Sequence, residues 1–182
     1  MLDKDALFYG ALELFAEKGV RLTMDALSKR LGISKRTLYE NVGSKENLSI
    51  FVVERYFEIV EERQRPIRED SSLDPVEKVR QLLTTTPSMP MARLGMDDFR
   101  REYPRAYALL DEKLSFGWEN TFRVMDEGTA AGAFRVFDKA LFARVYASSI
   151  EGLVTDQSVQ GDAGFNELQR KLVDILLFGI TA

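Results

Sequence analysis

Nowhere does the chain alternate apolar and polar residues along a Val/Ile/Thr-rich run, the pattern a half-buried strand needs. Its apolar residues recur instead every three or four positions, between glycines, prolines and capping side chains. That spacing lines one face of a helix. The fold class is therefore all-α, and start and stop signals divide the chain into nine helices. The first spans about Asp3 to Lys18 and ends at Gly19. Thr23 caps a short second helix to Leu31, which Gly32 ends, and Ser34 caps a still shorter third to about Asn41. Ser44 caps a long fourth helix from Lys45 to about Arg65, stopped by Pro66. The polar stretch 66–74 is the best linker. Asp74-Pro75-Val76-Glu77 then opens the fifth helix, with Asp as N-cap, Pro at the first helical position and Glu where a capping box needs it. Pro87 to Pro90 breaks the chain before a sixth helix, Met91 to Glu102, and Pro104 opens a seventh to about Glu127. Asp138 caps an eighth to about Val154, and Phe165 to Ile180 forms the ninth.

The chemistry on offer is narrow. There is no His and no Cys, which removes disulfides, thiolate and imidazole metal sites and the usual nucleophile–base pairs. The adjacent carboxylates Glu61-Glu62, Asp97-Asp98 and Asp111-Glu112 point about 100° apart on a helix, so none is an acid/base dyad by itself. Gly128 to Gly132 lacks the Lys and the preceding strand of a phosphate loop. No catalytic, cofactor or metal site is expected, and binding remains as the function. The N-terminus has no basic segment followed by an apolar one, and no run approaches the roughly 18 apolar residues of a membrane span. A cytoplasmic protein with no membrane partner is the expectation.

Residues 23–41 are the informative stretch. A short helix, a Gly-containing turn and a shorter helix make helix-turn-helix geometry. Met24, Leu27 and Leu31 share one face, and Ile33 and Leu38 can meet them. Lys35, Arg36, Thr37 and Tyr39 then point away, residue types suited to phosphates and base edges. Thr23, Ser34 and Ser44 each bring a hydroxyl and free backbone N–H groups to a positive helix end, as caps or as phosphate ligands.

The segments Phe15-Ala16-Glu17-Lys18-Gly19, Thr23 to Tyr39 and Ser44-Lys45-Glu46-Asn47-Leu48 together resemble the TetR family of transcriptional regulators, over about residues 6–52. Beyond them the chain is similar to that family in length, helix count and a closing apolar helix. The resemblance implies a helix-turn-helix DNA-binding domain at 1–50 and an effector-binding and dimerisation domain at 51–182. It puts Lys35, Arg36 and Thr37 in the major groove of double-stranded DNA. Thr23, Tyr39, Asn41 and Lys45 would lie along the phosphates, with Ser34 at the recognition-helix start. Three residues depart from the family pattern. Val42 replaces a usual Phe, Ser28 replaces a small Ala and needs a hydrogen bond, and Glu40 is an acid beside the DNA face.

In the ninth helix Phe165, Leu168, Leu172, Ile175 and Leu176 cluster on one side, with Val173, Leu177 and Ile180 about 100° away. Two apolar faces need two partners. The eighth helix has a similar surplus in Leu141, Phe142, Val145, Tyr146 and Ile150. Two copies joined by these helices would bury both, with Phe142, Ile150, Leu168, Leu172, Ile175 and Leu176 as candidate interface residues. The middle helices carry Phe99, Tyr103, Tyr107, Phe116, Trp118, Phe122 and Phe134, with Met89, Met91 and Met96 nearby, and Met96, Phe99, Tyr107, Phe116, Trp118, Phe122 and Tyr146 are the candidate lining. They are core, or collectively the lining of an apolar cavity for a small effector of unknown identity.

Bulk charge is −4 and the pI near 5.1, at first sight unsuited to DNA. Residues 1–55, however, hold 9 basic and 8 acidic side chains, and residues 29–45 hold five cations against Glu40. A phosphate backbone feels that local sum, within a Debye length of about 10 Å. The reading is a homodimeric, ligand-responsive repressor released from a palindromic operator. The alternative is a helical protein-interaction module on the same fold without specific DNA binding.

Overall fold

The computed structural model describes residues 2–85, 96–156 and 161–179. Among these, nine α-helices and one 3-10 turn carry the fold, without a strand. They are α1 (Lys4–Lys18), the 3-10 turn (Gly19–Arg21), α2 (Met24–Arg30), α3 (Lys35–Val42), α4 (Lys45–Glu69) and α5 (Pro75–Thr84). Then follow α6 (Met96–Glu102), α7 (Pro104–Ala130), α8 (Lys139–Thr155) and α9 (Gly161–Phe178).

The caps account for most boundaries. Asp3, Thr23, Ser34, Asp74 and Asp138 each accept a backbone N–H of the first turn they precede. Ser44 Oγ likewise accepts from Asn47 N at 3.1 Å. Gly19, Gly32 and Gly43 close α1, α2 and α3 with φ of 62°, 64° and 81°, values that favour glycine. The capping box at Asp74 is only half formed, because Glu77 is engaged by Gln81 and Arg80. Two boundaries differ from the sequence reading. Pro66 does not stop α4, which runs a further turn to Glu69. Its missing N–H removes one bond, but its carbonyl still accepts from Asp70 N at 3.0 Å. Helix α9 begins at Gly161, four positions before Phe165. The expected break at 87–90 and the start of the sixth helix at Met91 lie outside the described residues, as do Met89 and Ile180.

The helices form two compact units, Met1–Glu58 with Met89–Lys113, and Ile59–Ser88 with Leu114–Ala182. The first unit therefore gathers α6 and the start of α7 as well as α1 to α3. Its core holds Phe8, Phe15, Leu27, Leu38, Phe99 and Tyr103. Phe15 meets Phe99 and Tyr103 edge-on, with ring centroids 6.3 and 6.1 Å apart. Gly10 lets α1 close on α2, since a Cβ there would sit 3.0 Å from Leu31 Cδ2. The second unit packs Val79 and Leu82 of α5, Met125 of α7, Phe142 of α8 and Val173 and Leu177 of α9 around Phe134. Among the described residues no helix is long and apolar enough to cross a membrane.

Gly128, within α7, is the tightest of the described glycines in the second unit. A Cβ there would meet Phe134 ring carbons at 2.5 and 2.6 Å and Pro75 Cβ at 2.9 Å. Gly128→Ala is expected to cost about 1–3 kcal/mol through overpacking. A urea melt reads this as a lower midpoint, and an unchanged midpoint would mean the Phe134 ring swings aside freely.

Candidate functional site

Helices α2 and α3 are held at their turn by local bonds. Ile33 N donates to Ser28 O at 3.0 Å, and Ser28 Oγ donates to Asp25 O at 3.0 Å. The buried Ser28 hydroxyl thus has its partner. Leu38 alone of α3 is fully buried. The other face of this short helix is presented outward, with Lys35, Arg36, Tyr39, Glu40 and Asn41 exposed and Thr37 half-buried.

The exposed cations have carboxylate neighbours. Lys35 Nζ lies 3.0 Å from Asp25 Oδ1, and Lys29 approaches the other oxygen at 3.0 Å. Lys35 first, and then Lys29, holds the Asp25 carboxyl below its ordinary value. Arg36 Nε donates to Glu40 Oε1 at 2.8 Å, one turn on, so Glu40 is the arginine's tether. Ser34 Oγ accepts from Thr37 N at 3.0 Å and shares a hydrogen bond with Thr37 Oγ1 at 2.9 Å. Asn41 Nδ2 donates to Thr37 O at 2.7 Å. Thr23 Oγ1 accepts from Ala26 N, so the hydroxyl oxygen caps the α2 start while its O–H can still donate.

Lys45 sits differently. Its ammonium donates to Val20 O at 3.4 Å, lies 3.8 Å from Glu102 and stands 5.7 Å over the Tyr103 ring. Tyr103 Oη donates to the same Val20 carbonyl at 3.0 Å. Burial, with the charges of Glu102 and Glu46, pushes this phenol up to about 12, so it stays a donor throughout the physiological range. Next to Lys45, Glu46 Oε1 accepts from Arg105 N at 2.9 Å and Ala106 N at 3.1 Å. An acid in the first turn of α4 thereby caps the N-terminus of α7. Sequence reasoning missed Glu46, Glu102 and Tyr103 in this role. Glu46 and Arg105 lie 59 positions apart, and no local signal joins them.

The aromatic set proposed as a cavity lining divides between the units. Phe99 is fully buried in the first unit against Phe15 and Tyr103, so it is core and leaves the set. Met96 and Tyr107 are half-buried in that unit too, with Arg100 5.4 Å from the Tyr107 ring. Phe116 is 60% exposed. In the second unit, Trp118 packs on Phe122 and edge-on to Tyr146, each at 5.6 Å. Tyr146 Oη donates to Leu83 O at 2.7 Å. Burial pushes that phenol up to about 12, opposed by a bond from Gln169.

The expected interface residues also sort by side. Phe142 is turned into the core with Phe137, so it is not an outward contact. Leu176 packs against the same core. Ile150, Leu168 and Leu172 are half-buried. Ile175 is 71% exposed, Phe178 is 87% exposed, and Leu141 and Val145 of α8 are also exposed. Helices α8 and α9 pack on each other in this unit, and each keeps apolar side chains exposed.

Residues 7–50 match the family model described as bacterial regulatory proteins, tetR family. The chain is 30% identical over 172 residues to the uncharacterized HTH-type transcriptional regulator YvaF of Bacillus subtilis (strain 168), covering 93% of this chain and 90% of that one. Among solved structures it is similar to the TetR family regulator PfmR of Thermus thermophilus, with a TM-score of 0.78 at 22% identity, over 94% of this chain and 97% of that one. It is also similar to FadR of Bacillus subtilis, solved in complex with stearoyl-CoA, with a TM-score of 0.73 at 19% identity, over 98% and 100%. The helix-turn-helix geometry and the full-length relative agree: the chain belongs to the tetR family of bacterial regulatory proteins, DNA-binding transcriptional regulators rather than enzymes.

Proposed function

We propose that the chain acts as a homodimeric repressor that holds a palindromic operator with two copies of α3 and lets go when a small molecule enters the second unit. The observation that carries the DNA contact is the outward face of α3. Lys35, Arg36 and Thr37 would meet base edges, while Thr23, Ser34, Tyr39, Asn41 and Lys45 would lie along phosphates. The ion pairs of Lys35 and Arg36 are surface pairs, of the kind worth about 0–1 kcal/mol. Exchanging them for DNA is cheap, and phosphate contacts return counterions to solvent.

The apolar side chains of Leu141, Val145, Leu168, Leu172, Ile175 and Phe178 support self-association through α8 and α9, a self-complementary four-helix contact. The cluster of Trp118, Phe122 and Tyr146 supports an effector site of apolar character. The similar FadR was solved in complex with stearoyl-CoA, which carries a long acyl chain, and this supports an apolar effector here. Helices α4 and α7 each contribute residues to both units, and Glu46 fastens their N-terminal ends together in the first. A ligand that favours one arrangement of these helices would change operator affinity only by its differential affinity for the two states.

Binding to duplex DNA from beside its own gene is expected to weaken with salt at a slope of about −0.9 per phosphate contacted. A flat curve would remove the DNA reading. Arg36→Ala should cost about 1–3 kcal/mol at one base position and relax preference there, while Lys45→Ala should weaken all sequences alike and flatten the salt slope by about 1. The reverse pattern across an operator library would mean the α3 register on DNA is misplaced. Ile175→Glu combined with Phe178→Glu should give monomers in light scattering. Phe142→Leu should lower the melting temperature and leave the dimer intact.

A further inference from the structure

Gln169 of α9 is 2% exposed, and its amide is nearly accounted for. Nε2 donates to Leu83 O at 2.9 Å and to Tyr146 Oη at 3.1 Å, using both its hydrogens. Tyr146 Oη spends its own hydrogen on Leu83 O. The orientation of the amide is therefore fixed, because the Leu83 carbonyl can only accept and a flipped amide would set oxygen against oxygen. That carbonyl lies in the last turn of α5, which ends at Thr84, where helix carbonyls have no intrahelical partner. Of the polar side-chain atoms in this group, Gln169 Oε1 is the one left buried without a hydrogen-bond partner. A buried acceptor left open is costly, and in native proteins such a group calls for an explanation.

The open acceptor belongs to a group contributed by α5, α8 and α9. Through Tyr146 it adjoins the half-buried aromatic pair Trp118 and Phe122 on α7. We infer that Gln169 Oε1 is the polar anchor of the effector site and takes a hydrogen bond from an O–H or N–H of a neutral, largely apolar ligand. The inference rests on the effector reading above and narrows it. A carboxylate or phosphate head would bring acceptors to an acceptor, and a plain hydrocarbon would leave the oxygen open. An alcohol or a secondary amide on an apolar body closes the last valence. The positioning is already supplied, since Leu83 and Tyr146 lock the amide before any ligand arrives.

Trp118 is the single tryptophan of the chain and touches Tyr146, so its emission reports on the site. Full-length protein would be titrated with 1-decanol, with its methyl ether, which lacks the donor, and with decanoate, each below its aggregation limit. Decanol is expected to bind about tenfold tighter than the ether, the size of a hydrogen bond to a pre-desolvated acceptor, and decanoate more weakly than either. In Gln169→Met, a swap of similar length without the acceptor, decanol and ether should bind alike. Equal binding of alcohol and ether to the natural chain would overturn the anchor and leave an apolar effector site standing. A preference that survives in Gln169→Met would place the anchor elsewhere. If none of the three binds while tryptophan emission and calorimetry are both followed, the anchor and the effector reading at Trp118 and Tyr146 fall together.

Discussion

A single carboxylate ties together the helix ends on which the first unit depends. Glu46 lies in the first turn of α4, where an acid suits the positive helix end, and it spends one oxygen on two backbone N–H groups at the start of α7. Two helix N-termini thus share one negative charge. The neighbouring Lys45 and Tyr103 both reach the Val20 carbonyl, so the 3-10 turn after α1 is tied into the same knot. Residues at the opening of α4, the closing of α1 and the junction of α6 and α7 are fixed together. Helix α3 inherits its placement from that group, since only Gly43 and Ser44 separate it from α4.

Electrostatics on the outer face follow a different rule. Lys29 and Lys35 are solvated and share the one carboxylate of Asp25, while Arg36 pairs with Glu40, and these acids hold side chains that would otherwise sweep many rotamers. Such pairs contribute little to stability. They do limit where each cation stands before an anion arrives, and they are soft enough to be traded. The acidic body and the locally basic 29–45 segment let one chain stay negative overall while offering a positive edge.

Most of this fold was legible because helix ends are local events. Asp3, Thr23, Ser34, Asp74 and Asp138 cap the helices they precede, and Gly19 and Gly32 end helices at positive φ, each decided within a few residues. What periodicity cannot supply is the partner of a buried face. Phe99 and Tyr103 carry the marks of buried aromatics, yet only the tertiary fold turns them toward Phe15. Phe142 sits on an apolar side of α8, and arithmetic on a wheel does not say which side looks inward. Pro66 misleads for a related reason. A proline so near a helix end sacrifices one bond, and the remaining turn still closes. The α3 face was legible since its chemistry lies within one short segment. Glu46 was hidden because its partners lie 59 and 60 positions away.

The contact at Gly128 has a consequence for how this chain can drift. Its missing side chain is occupied by the Phe134 ring and by Pro75, which joins the ends of α5 and α7 at one point. Positions 128 and 134 therefore behave as a size pair. A methyl at 128 needs the ring at 134 to shrink and Pro75 to give by a few tenths of an ångström, and neither change is neutral alone. Relatives that carry a larger residue at 128 should carry a smaller one at 134, so the pair would surface as covariation where neither site looks variable by itself.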